Sequence, residues 1–231
     1  STSGFAEAAE SKFYPLRFSF CENAQSAIPL IALQYHDVEL RITWGTLSTE
    51  KYEIYSQFIH LDTDERTALS STPQNMLITQ TQKAVASSSK IHALNFNHPI
   101  KCLASANGAS LAIADDANKM KLQINGTDVA DFKYVDPHYT AITSYYHTTG
   151  SKPETEIQLG QVNVTGDNEK FFLYPFCLDT SKVQPTGSLN FSRLDSARLA
   201  SDNTSFAKTI YAVNYNVLRI QNGLGSVLYA N

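Results

Sequence analysis

Short runs of Val, Ile, Phe, Tyr and Thr, broken by Gly, Pro, Asn or Asp, recur along the whole chain, and few segments keep an apolar period of 3.6 over three turns. This is an all-β pattern. It predicts strands over Phe13–Phe20, Val38–Trp44, Glu53–His60, Met76–Thr81, Ala93–Phe96, Lys101–Ala104, Lys119–Ile124, Ile157–Val164, Phe171–Pro175, Gly187–Phe191, Ala197–Leu199, Thr209–Leu218 and Leu224–Tyr229. Between them, Asn107-Gly108 and Asn125-Gly126 suit turn positions with φ > 0, and Asp136-Pro137, Lys152-Pro153 and Gln184–Gly187 suit turns or loops. Helix is confined to short pieces. The clearest is Thr63–Leu69, where Asp64 and Glu65 favour a helix N-terminus although Thr63 and Arg66 do not make a capping box. A second short turn is expected after Asp195.

These strands outnumber the eight of one jelly-roll sandwich. Ser70-Ser71-Thr72-Pro73, small, polar and Pro-terminated, is the best domain boundary and divides the chain into residues 1–70 and 71–231. The three or four strands before it cannot close a sandwich alone, so they must pair with something else.

Composition adds that 231 residues, 42% of them hydrophobic, can bury a large core. Charged residues make up 17%, against roughly 25% in ordinary soluble domains. Ser, Thr, Asn and Gln fill the polar quota, which favours β structure and uncharged contact surfaces. Residues 1–66 carry a net charge of -5 and residues 67–231 a net +1. Neither part offers a phosphate-binding surface, so direct nucleic-acid contact is not expected. No apolar run reaches the ~18 residues of a membrane span, and Ser1–Glu10 does not read as a signal peptide.

The candidate chemistry is thin. Cys21, Cys102 and Cys177 are widely spaced and read as buried thiols rather than a disulfide or zinc framework. Six histidines lack the spacing of a jelly-roll metal site, and His36-Asp37 reads as a strand-end hydrogen-bonding pair. Asp115-Asp116 and Asp62, Asp64 and Glu65 read as solvated loop and helix start, and no nucleophile elbow is present. Gly223-Leu224-Gly225 reads as a tight turn before the final strand. Neither catalysis nor a cofactor is expected.

Four blocks carry a resemblance. The first runs from Phe13-Tyr14-Pro15-Leu16 to Phe20 and on through Ile28-Pro29-Leu30-Ile31-Ala32-Leu33-Gln34-Tyr35-His36-Asp37-Val38; the second is Leu61–Arg66; the third is Leu94-Asn95-Phe96-Asn97-His98-Pro99. The fourth comprises Asn190–Asp195, Ile210–Ile220 and the ending from Gly223 to Asn231. In order and spacing they resemble the major capsid proteins of large icosahedral double-stranded DNA viruses, over about Phe13 to Asn231.

The resemblance implies an all-β double jelly roll. Residues 1–70 would be the later strands of a first jelly roll and the connecting helix, its opening strands lying outside this sequence, and residues 71–231 a complete second jelly roll. It also implies a homotrimer forming a pseudo-hexagonal capsomer, packed against neighbouring capsomers, penton and minor capsid proteins in a virion shell assembled in the host cytoplasm, without membrane insertion. The residues expected to serve trimer contacts or the structural motif are Pro29, Gln34, Tyr35, His36, Asp37, Arg66, Asn97, His98, Arg193, Asp195, Asn214, Tyr215, Asn216 and Arg219. Of the N-x-S/T sites, Asn163 and Asn203 in outward loops are the glycosylation candidates, and Asn190 is expected to be buried. A second reading is a carbohydrate-binding jelly-roll module for host surface glycans, using loop residues Tyr139, Tyr145 and Tyr146.

Overall fold

The computed structural model describes residues 15–43, 53–85, 87, 89–105, 118–149, 171–202 and 209–230. They fall into two compact units, one holding residues 79–216 and the other residues 17–78 with 217–230.

The first unit is a sandwich of two antiparallel sheets. The strands of the described residues are β1 (Gln74–Ala84), β2 (Ile91–Ala93), β3 (Pro99–Ser105), β4 (Lys119–Ile124), β5 (Thr127–Asp128), β6 (Lys133–Tyr134), β7 (Phe172–Pro175), β8 (Leu189–Asn190), β9 (Ala197–Ser201), β10 (Ile210–Gln221) and β11 (Leu224–Val227), with β11, the part of β1 before residue 79 and the part of β10 after residue 216 assigned to the second unit. One sheet has the order β1-β10-β3-β7, with β8 on β3 and β11 on β10; the other has the order β2-β9-β4-β5, with β6 on β4. The all-β jelly-roll class expected from the sequence is what the chain adopts.

Period-2 patterning places the core. From Ile91 to His98 the side chains alternate, with His92, Leu94, Phe96 and His98 buried. Ile100, Leu103, Phe172, Ile210 and Ala212 from one sheet meet Met120, Leu122, Ala197 and Leu199 from the other, as facing sheets must to exclude water. Each fully buried Leu or Ile there contributes about 1.5–3 kcal/mol. Asn125 and Gly126, at φ 51° and 80°, form the two-residue turn between β4 and β5, the conformation that Asn-Gly supplies most cheaply.

Helices are short. The first, α1 (Thr63–Ser71), is capped one residue earlier than the sequence reading allowed. The Asp62 carboxylate accepts from Thr63 N–H at 2.7 Å and from the backbone N–H of Glu65, and the Glu65 carboxylate accepts from Asp62 N–H at 3.2 Å, so a full capping box exists with Asp62, not Thr63, as its first member. A π-helical stretch Val135–Ile142, broken at Asp136, continues into α2 (Thr143–His147), where the sequence predicts loop. The turn expected after Asp195 instead precedes it: Phe191–Arg193 forms a single 3-10 turn capped by the Asn190 side chain.

The second unit departs further from expectation. Residues 15–43 hold three single 3-10 turns, Ser19–Cys21, Ala24–Ser26 and Leu30–Ala32, and no sheet ladder. The described residues of the segments expected as strands, 15–20, 38–43 and 53–60, are likewise unpaired. Alternation selects which face of a strand is apolar, whereas a strand exists only when a neighbour takes its N–H and C=O groups. Within the unit β11 forms a hairpin with the end of β10, from Leu218↔Val227 to Gln221↔Leu224. The strand expected over Ile157–Val164 lies outside the described residues.

Candidate functional site

Two clusters gather most of the residues singled out from the sequence. The first lies in the second unit. Pro29 opens the 3-10 turn Leu30–Ala32 and its carbonyl accepts from Ala32 N–H at 3.0 Å. This turn packs against α1, and the chain then runs along the tip of the β10–β11 hairpin. The Tyr35 N–H donates to the Gly223 carbonyl at 3.0 Å, and the Gly225 N–H donates to His36 Nδ1 at 3.0 Å.

The approach is close enough to require glycine at position 223 and to need Leu33 to shift for any larger residue at 225. A Cβ on Gly223, whose φ is +79°, would lie 2.6 Å from the Tyr35 ring, and one on Gly225 would lie 2.9 Å from Leu33 Cδ2. The Ile28–Val38 block and the Gly223–Gly225 block, 189 residues apart at the His36 contact, are therefore one structural feature. His36 finds its partner there, in the Gly225 backbone. Gln34, Tyr35, His36 and Asp37 remain exposed on the rim, as do Arg66 on α1 and Arg219 opposite Ser226.

The second cluster, in the first unit, is a chain of amides. The Gln82 Nε2 donates to the Asn97 carbonyl at 2.7 Å and to Asn214 Oδ1 at 3.0 Å, while the Asn97 N–H donates to Gln82 Oε1 at 3.1 Å. One step along, Asn216 Nδ2 donates to Gln80 Oε1 at 2.9 Å. Asn214 and Asn216 are 0% and 2% exposed, so these contacts satisfy groups that water cannot reach. His98, buried and at φ +69°, donates its N–H to Ser192 Oγ at 2.8 Å. Gln80 and Gln82 did not stand out in the sequence, although they prolong the half-buried face of Met76 and Ile78 at period 2.

Other residues lie apart from these clusters. Tyr215 is buried beneath Lys101, whose Nζ is 5.8 Å from the ring centroid. Arg193 and Asp195 are both exposed, and the Asp195 N–H donates to Asn125 Oδ1 at 2.9 Å. Asn190 is half-buried. Asn163 and Asn203 lie outside the described residues.

The thiols differ from one another. Cys21 is exposed, against expectation, while Cys102 and Cys177 are buried. Burial, and secondarily the nearby Cys177, pushes the Cys102 thiol up to about 12, with Lys101 pulling the other way. Burial also raises Cys177. A raised pKa leaves the unreactive thiol form dominant at neutral and mildly alkaline pH. At about pH 8 a disulfide reagent should therefore titrate one thiol per native chain and all three in denaturant; fast reaction of two or more in the native state would contradict this placement.

Among the described residues no three His, Cys, Asp or Glu side chains converge as a metal site, and no helix is long and apolar enough to cross a membrane. What the described residues do bring together is packed sheets, hydrogen-bonded amides and an exposed rim.

Comparison with known proteins agrees. Residues 104–226 match the family model for the large eukaryotic DNA virus major capsid protein, and residues 2–86 match that for the major capsid protein N-terminus. The major capsid protein of Pyramimonas orientalis virus is 34% identical over 99% of this chain and 63% of its own length. That of Paramecium bursaria Chlorella virus 1 is 29% identical over 96% of this chain and 68% of its own length. The chain thus spans about two-thirds of the relatives it matches. Among solved structures, the PBCV-1 virus capsid superposes with a TM-score of 0.54 at 27% identity, covering 74% of this chain and 55% of that one. The chain belongs to the family of large eukaryotic DNA virus major capsid proteins.

Proposed function

We propose that the chain is a structural, non-enzymatic subunit of a virion shell, three copies of which form a pseudo-hexagonal capsomer that packs against neighbouring capsomers, penton and minor capsid proteins. The match of its sandwich to the family model over residues 104–226 carries this reading. In the proposed organisation residues 1–70 supply the later strands of a first jelly roll with the connecting helix, and residues 71–231 a second jelly roll.

The surface supports a role in contacts. Val38, Leu40 and Ile42 are exposed and alternate with Asp37, Glu39 and Arg41, and Ile54, Tyr55, Phe58 and Ile59 are exposed as well. Apolar positions at this density are what obligate interfaces cover. Gln34, Tyr35, Asp37, Arg66, Arg193, Asp195 and Arg219 are the exposed motif residues proposed for subunit contacts. The native mass of the purified protein tests the reading: a stable trimer is expected, and a persistent monomer across the micromolar range would overturn it.

A second reading, binding of host surface glycans, is favoured by one observation. Tyr145 and Tyr146 on α2 are exposed, with perpendicular rings 5.1 Å apart, and such aromatic faces stack on sugars. Glycan-array binding lost in Tyr146→Ala would support it, and an array without hits would remove it.

A further inference from the structure

The geometry of the terminal hairpin decides which way each backbone group of β11 points. Gln221 and Leu224 flank the two-residue turn Asn222-Gly223, and Ile220 lies opposite Gly225. In such a hairpin the residues flanking the turn exchange both hydrogen bonds, and the next pair exchanges none. The Gly225 N–H therefore points away from β10, onto the open edge of β11. There it meets His36 Nδ1 at 3.0 Å, in the place a neighbouring strand's carbonyl would take.

An imidazole nitrogen accepts a hydrogen bond only when it carries no proton, so this contact assigns the neutral tautomer with its proton on Nε2. We propose that His36 is a proton-operated clasp. Neutral, it holds the Leu33–His36 segment on the hairpin and covers the first open donor of β11; protonated on Nδ1, it turns a donor toward a donor and releases the edge. Because His36 is exposed, protons reach it without any opening of the fold.

Charged and titratable groups lie on each element packed around the clasp. Asp37 lies next to it on its own segment, where Glu39 and Arg41 pair with each other at 2.6 Å. The β10–β11 hairpin contributes Arg219 and, beyond β11, Tyr229; α1, packed on Leu30–Ala32, contributes Asp64, Glu65 and Arg66 after its cap Asp62. Release has a structural consequence, since Ile220 to Asn231 contains no charged residue and no proline. Those are the devices that ordinarily keep an open edge from pairing with another chain. The clasp stands in for them.

The test is amide exchange at Gly225, measured by NMR from about pH 8 to about pH 5, corrected for the intrinsic pH dependence, while the titration of His36 is followed through its own imidazole resonances. Protection at Gly225 is expected to fall roughly tenfold as His36 takes up its proton. In His36→Asn, whose Oδ1 can accept from the same N–H but does not titrate, protection should persist across the range; in His36→Leu it should be absent throughout. Unchanged protection in the wild-type protein through the titration of His36 would overturn the proposal, as would full protection in His36→Leu. If either variant fails to fold, the wild-type titration decides alone.

Discussion

Phe191→Ala is expected to lower the free energy of unfolding by about 3–5 kcal/mol. Phe191 is 4% exposed and packs between two other rings, its centroid 6.1 Å from that of Phe96 and 5.7 Å from that of Phe176. It sits at the start of the 3-10 turn Phe191–Arg193, and its N–H donates to the His98 carbonyl at 3.0 Å. Truncation would keep that backbone bond and empty the space between the rings, leaving a cavity that paired sheets cannot collapse to fill. Urea unfolding followed by tyrosine fluorescence checks this, with Phe191→Leu losing much less. A loss under about 1 kcal/mol in the alanine variant would mean that the ring is not part of the core.

Gln82→Leu comes second, with an expected loss of about 1–3 kcal/mol. The leucine is similar in size but removes the donor to Asn214 Oδ1 and the Asn97 carbonyl, together with the acceptor for the Asn97 N–H. Asn214 keeps its own bond from Nδ2 to the Tyr215 carbonyl at 3.2 Å, yet its oxygen loses the Gln82 donor at a site with no solvent exposure. The double variant Gln82→Leu with Asn214→Leu should lose less than the sum of the two single changes, because neither side chain then leaves the other buried without its partner. Strict additivity in the double-mutant cycle would show that the two amides are not coupled.

Much of the sandwich was legible in the sequence because its signal is local. The alternation from Ile91 to His98, the Asn-Gly turn at residues 125–126 and the apolar runs of β3, β4, β9 and β10 each reflect a face that must be buried. Pairing is different, since it depends on what lies beside a strand. Residues 38–43 alternate as well as any strand in the chain and are unpaired. At α1 sequence and structure differ by a single residue: Thr63 with Arg66 makes no capping box, while Asp62 and Glu65 hold the correct spacing. The helical stretch from Val135 to His147 was hidden by Pro137, which marks a loop wherever it does not open a helix.

The candidate site divides along the same line. The signature blocks were recognisable one by one, but that Leu33–His36 lies on Gly223–Gly225 is a long-range fact that no local period encodes. Gln80 and Gln82 do not stand out because a polar residue in an alternating strand is ordinarily on the wet side, whereas here the alternation places them on the half-buried side. The parity of Met76 and Ile78 marks them.

The contact between His36 and Gly225 also fixes an order of events during synthesis. It joins residues 189 positions apart, so it cannot form until the ribosome has translated through Gly225. At roughly 5–20 residues per second, the wait between making one partner and the other is roughly 10–40 s. Throughout that interval Tyr35 and His36 lack the Gly223 carbonyl and Gly225 N–H that hold them in the folded chain. Translation through Gly225 is therefore itself a checkpoint, and a product terminated before it lacks the clasp whatever else it has folded.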